Sequence, residues 1–221
     1  MSRSNRPTGR LALAGLAAML ATSGAAAQGS SLPAAIEPGA SVYWASVYEG
    51  GSDPFRERVV ATGPDWVIYQ TIFEGDEDKL PSSDDSFVLF SGIDYRGCAE
   101  GPLASKAERE AIAALRPFKA GDTVELGSMT QKPVLRVGEA TDVFLMGQKR
   151  AAHDILIDYE DDELDERLVV LDELPLTVKI EWAENTEDRV MLVSGPKNTE
   201  IKPIDTGQLG VCAALLGEGQ N

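Results

Sequence analysis

Phe87-Val88-Leu89-Phe90-Ser91-Gly92-Ile93-Asp94-Tyr95-Arg96-Gly97-Cys98 is the stretch on which the fold turns. It reads as a strand running into one of only two cysteines. Phe87, Leu89, Ile93 and Tyr95 alternate onto one face, while Val88 and Phe90 make the other face apolar too. A strand apolar on both sides is expected at the centre of a covered sheet. The second cysteine, Cys212, lies 114 positions further on, close to the chain's end. A Cys98–Cys212 disulfide would hold the apolar segment Val211–Leu216 against the core. On chain-entropy arguments it would stabilise by about 4–5 kcal/mol.

The first residues support that pairing. Arg3, Arg6 and Arg10 precede the apolar run Leu11–Thr22, and Ala25-Ala26-Ala27 precedes Gln28. This is the pattern of a cleaved signal peptide, residues 1–27, and it places the mature chain in the periplasm or outside the cell. Two cysteines in an exported chain are expected to pair. Without the leader, 194 residues remain with a net charge of −19, because three of 20 basic residues and none of 36 acidic ones are removed. So acidic a surface disfavours nucleic acid and anionic membrane surfaces. No later run is long enough for a membrane-spanning helix, so no stable membrane insertion is expected after cleavage.

Residues 28–40 read as a flexible lead-in, 41–216 as one β-rich domain, and 217–221 as a tail. Ser41–Tyr48, Phe55–Thr62 and Trp66–Glu74, separated by Gly- and Pro-containing turns, form an expected meander. Phe55, Glu57, Val59 and Ala61 share one side of the second strand. Ser105–Leu115 is the one clear helix. Ser105 and Glu108 form a capping box, and Pro117 ends it. Further strands are expected at Thr123–Leu126, Val134–Val137, Thr141–Gly147, Ala152–Tyr159, Arg167–Leu171, Leu176–Trp182 and Val190–Ser194. The sum is a mainly β chain: an antiparallel β-sandwich or barrel with one short connecting helix (105–115), its two β halves meeting near residue 118.

The candidate sites are weak beside their structural alternatives. Asp158, Glu160, Asp162 and Asp165 offer oxygens for Ca²⁺. An EF-hand loop starting at Asp158 would need Gly at Glu163 and Glu at Val169, so a solvated hairpin tip is the plainer reading. His153 is the sole histidine, and no G-x-S-x-G motif accompanies it. With 36 acids, no carboxylate pair stands out for hydrolysis. Tyr43, Trp44, Tyr48, Trp66, Tyr69 and Trp182 at strand spacing fit core packing better than a binding cavity.

The element Leu115-Arg116-Pro117-Phe118-Lys119-Ala120-Gly121, with Lys179-Ile180-Glu181-Trp182 later, resembles the layout of exported, β-rich proteobacterial proteins carrying an L-x-P-[LF]-x-x-G element. That resemblance implies a periplasmic β fold and no catalytic residues. The leading expectation is therefore a non-catalytic binding or accessory module acting through a protein-partner surface. One alternative is a carrier of a small apolar ligand, with Leu176, Val178, Ile180 and Trp182 facing the cavity. Another is a hydrolase with an unmarked carboxylate pair.

Overall fold

The structure is a computed structural model describing residues 36–48, 51–99, 101–129, 131–145, 147–160, 165–182, 189–198 and 205–218. The expected signal peptide lies outside them. The lead-in ends earlier than expected, because Ile36 is already buried in the core.

The chain is mainly β and antiparallel. The first half is a meander of β1 (Ala40–Tyr48), β2 (Gly51–Thr62), β3 (Trp66–Ile72), β4 (Ser86–Phe90) and β5 (Asp94–Gly97). Helix α1 (Lys106–Ala113) leads to the second half: β6 (Thr123–Glu125), β7 (Val134–Leu145), β8 (Gln148–Asp158), β9 (Glu166–Leu171), β10 (Thr177–Trp182) and β11 (Arg189–Asn198). A short helix, α2 (Ala213–Glu218), closes the described chain. The strands hydrogen-bond in the order β5-β4-β3-β2-β1-β11-β10-β9-β8-β7-β6. The two meanders thus join where β1 pairs with β11, and they face each other as a β-sandwich over one apolar core.

The stretch Phe87–Cys98 is a hairpin, not one strand. Ser91 and Gly92 both have positive φ (52° and 76°), and the Ile93 amide donates to the Phe90 carbonyl at 2.9 Å. Two left-handed central residues suit the right-handed twist of hairpin strands. The apolar residues on both sides of the turn hide the reversal, yet the expected burial holds, since Phe87, Val88, Leu89, Phe90 and Ile93 are all buried. Two other boundaries also differ. Gly51–Pro54, expected as a turn, already pairs with β1. Val134–Val137 and Thr141–Gly147 are parts of one strand, β7, carried across Gly138 by a bulge.

The hairpin tip joins the two halves. The Gly92 carbonyl accepts from Thr177 Oγ1 at 2.6 Å. Arg116 donates to the carbonyls of Ser91 (3.1 Å), Leu171 (3.0 Å), Asp172 (3.1 Å) and Leu174 (3.3 Å). Its guanidinium also lies 4.5 Å from the centre of the Phe118 ring. Burial lowers the Arg116 pKa to about 10, so it stays charged at neutral pH. Helix α1 is fixed to the same hairpin by the ion pair Arg96–Glu108 (3.1 Å) and to the β2–β3 turn by Arg109–Asp65 (3.3 Å). Here the capping box is only half realised. Ser105 Oγ accepts from the Glu108 amide at 3.2 Å, but the Glu108 carboxylate turns to Arg96 and Ser128. A buried cation outcompetes a backbone amide for it.

The disulfide Cys98–Cys212 is present, with both residues fully buried. The Val211 amide donates to the Cys98 carbonyl at 3.0 Å. Val211–Leu216 is therefore seated on the core as expected, as a helical turn running into α2.

Gly92 leaves no room for a side chain: a Cβ there would stand 2.3 Å from the Pro175 carbonyl carbon. Gly147 has a similar φ of 75° but open space around it. Gly92→Ala is expected to cost about 1–3 kcal/mol more than Gly147→Ala in urea unfolding, because both sites share the backbone strain but only Gly92 adds the clash. Equal costs would show that the hairpin tip does not depend on the close approach.

Candidate functional site

A cavity of about 300 Å³ lies between the two halves. It is lined by β1 through β4 on one side and by β10 on the other. Trp44, Glu57, Leu89, Thr177 and Ile180 are buried and form its floor. Ser46, Asp53, Pro54, Phe55 and Trp182 are half-buried or exposed and form its mouth. Phe73 stands beside them, 57% exposed, its ring 6.5 Å from that of Phe55. An exposed phenylalanine beside an apolar opening is a feature to be explained, since large apolar side chains are normally hidden when a core can take them.

Strand alternation builds this wall. Phe55 and Glu57 share one side of β2, with Trp44 opposite Phe55 and Thr71 opposite Glu57. On β10 the expected set was Leu176, Val178, Ile180 and Trp182. Only Ile180 and Trp182 line the cavity, joined by Thr177. The register shifts between Thr177 and Lys179, which changes the phase of the alternation. Leu176 and Val178 are fully buried in the core instead. Of the six aromatics considered, Trp44 and Trp182 line the cavity, while Trp66 and Tyr69 are core. Tyr43 lines a shallower groove outside it. The Tyr48 side chain lies outside the described residues.

Glu57 is the residue that sequence reasoning missed. It is 4% exposed. Burial pushes its pKa up to about 8, and the neighbouring Trp44 indole lowers it only in part. The carboxyl is therefore mostly neutral at pH 7. The signal was there, as an acid between Phe55 and Val59 on an apolar face. Two donors near it are poorly satisfied. Trp44 Nε1 meets the Glu57 carboxyl only outside ordinary hydrogen-bond geometry, and the Tyr69 hydroxyl makes no hydrogen bond of ordinary geometry. Tyr69 feels the Glu57 charge, and its pKa is raised first by its own burial and then by that charge. Buried polar atoms are ordinarily satisfied, so this cluster beside an apolar cavity is unusual.

The other candidates are engaged structurally. Asp158 pairs with Arg136 at 2.8 Å, and Asp165 accepts from the Tyr159 amide at 2.9 Å. Glu160 is exposed, and Asp162 lies outside the described residues. No cluster of three or more metal-ligating side chains occurs among the described residues. The acidic loop 74–85 folds back on β2 and β3. Arg58 donates to Gln70 and to the Lys79 carbonyl, Gln70 donates to the Leu80 carbonyl, and Lys79 pairs with Asp85. His153 Nδ1 lies 2.8 Å from Asp172 Oδ1, with its ring against Phe118. A second hollow, beside Arg116, is larger at about 370 Å³, but the guanidinium there is already committed to four carbonyls.

No family model matches the chain, and no curated protein or solved structure matches it. Among the described residues no helix is long and apolar enough to cross a membrane.

The raised pKa of Glu57 gives a signed prediction. As pH rises from about 4.5 to about 8, the unfolded chain ionises Glu57 while the folded chain holds it neutral. The associated stability is complete below the lower value and is lost as pH climbs through the upper one. Glu57→Gln cannot ionise. Its stability relative to the wild type should therefore rise across this window by an amount on the order of a few kcal/mol, read from urea midpoints. A difference constant with pH would mean that Glu57 is ionised in the folded protein.

Proposed function

We propose that this chain is an exported, disulfide-stapled carrier that holds a small, mainly apolar ligand in the inter-sheet cavity. The cavity supports this reading most directly. It is apolar on most of its walls, ringed by aromatic side chains at its mouth, and of a volume suited to a small molecule. The Cys98–Cys212 disulfide is consistent with life outside the reducing cytoplasm. With it, the leader pattern favours the periplasm. The resemblance to exported β-rich proteins agrees with the same location.

The carrier reading displaces a pure partner surface as the leading one, because a surface module has no use for an open interior. It is also better supported than hydrolysis. The cavity brings Glu57 and Asp53 to one opening, but Asp53 stands at the exposed rim, while Glu57 lies in the floor. A general acid paired with a second buried carboxylate is not what this arrangement offers.

The neutral apolar fluorophore N-phenylnaphthylamine is expected to bind the wild type with a blue-shifted, enhanced emission. Thr71→Phe, which places a ring in the cavity, should weaken binding by roughly tenfold or more. The variant's melting midpoint serves as the control for folding. Binding unaffected by Thr71→Phe, or no binding to the wild type, would remove the basis of the reading.

A further inference from the structure

The cavity floor is chemically asymmetric. Leu89, Ile180 and the ring faces of Trp44 and Trp182 ask only for apolar surface. At one place, however, the Trp44 indole N–H and the Glu57 carboxyl lie side by side, both buried, and the indole meets the carboxyl only outside ordinary hydrogen-bond geometry. An indole nitrogen only donates. A ligand group that gives it a well-aligned bond must therefore bring an acceptor. Among the described residues no lysine or arginine lines the cavity to compensate an anionic ligand.

Resting on the carrier reading, we propose that the ligand bears a neutral oxygen, a hydroxyl or carbonyl, at its buried end, seated between Trp44 Nε1 and the Glu57 carboxyl. The indole N–H donates to that oxygen. The carboxyl donates its proton to it, or accepts from it when it is a hydroxyl. The rest of the ligand fills the apolar space toward Phe55, Phe73 and Trp182.

The charges around Glu57 fit a neutral head. From β3 it faces Tyr69, whose hydroxyl makes no hydrogen bond of ordinary geometry. From its own strand, Asp53 stands at the mouth. β1 contributes Trp44 and Ser46, β4 contributes Leu89, and β10 contributes Thr177, Ile180 and Trp182, none of them titratable in this range. Burial holds Glu57 neutral up to about pH 8, which keeps its proton available for donation. A cationic head would instead draw Glu57 into its ionised form, and it would leave the Trp44 donor opposed to a positive charge.

The test is displacement of N-phenylnaphthylamine from the full chain by four molecules of one shape: naphthalene, naphthalenemethanol, naphthoate and naphthylmethylammonium. The alcohol is expected to displace at roughly tenfold lower concentration than naphthalene at neutral pH, and both ions are expected to be poorer still. Glu57→Leu and Trp44→Phe should each erase most of the alcohol's advantage over naphthalene. Glu57→Gln, whose amide keeps a donor and an acceptor, should restore it relative to Glu57→Leu.

Equal displacement by naphthalene and the alcohol would mean that water alone satisfies Trp44 and Glu57, and would overturn the proposal. So would strongest displacement by the ammonium compound together with its loss in Glu57→Gln. In both cases the cavity would remain a carrier site. Failure of the reporter to bind at all would overturn the carrier reading itself.

Discussion

The sandwich depends on the contact between the Ser91–Gly92 turn and the segment Leu171–Thr177. The two meanders are covalently linked through α1 and share backbone hydrogen bonds at the β1–β11 seam. Away from that seam, Thr177 and Arg116 hold them together through carbonyls. Bonds from a charged donor are stronger than neutral ones, and Arg116 concentrates several of them on two loops. The backbone approach at Gly92 allows this contact, and no residue with a side chain would permit it at that φ. The disulfide reinforces the same end, fastening the chain's last helix beside the β4–β5 hairpin.

A sandwich held at its edges can leave space inside, and the space here is not neutral with respect to stability. A buried carboxyl flanked by poorly satisfied donors costs free energy that a hydrocarbon side chain at position 57 would not. Such costs are found where a site is kept ready for a ligand, since binding recovers what folding left unsatisfied. The exposed Phe73 beside the mouth has the same character. It contributes nothing to the core, but it would shield the outer end of an apolar guest.

Much of the fold was legible in local pattern. Alternation identified most strands, the Ser105 cap identified the helix, and two cysteines left one pairing. The illegible parts were those decided by distant contacts. The reversal at Ser91–Gly92 is masked by apolar residues on both sides of it. The bulge on β10 moves Val178 into the core because of its pairing with β9, which Leu176–Trp182 alone does not encode. Glu108 leaves its capping role because Arg96 approaches from another strand. The site was half legible. Trp44 and Trp182 were candidates, and Glu57 sat in plain view on an apolar face. Its meaning depended on Trp44 from the neighbouring strand and on the facing sheet.

The central claim is that the cavity carries a neutral guest with one oxygen at its buried end. Native mass spectrometry of the protein isolated gently from the cells that produce it, followed by mass analysis of an organic extract, tests it most directly. The account predicts one small molecule retained per chain, uncharged at neutral pH, mainly hydrocarbon, and containing a hydroxyl or carbonyl group. A retained molecule that is a permanent ion, or one that lacks oxygen, would contradict it.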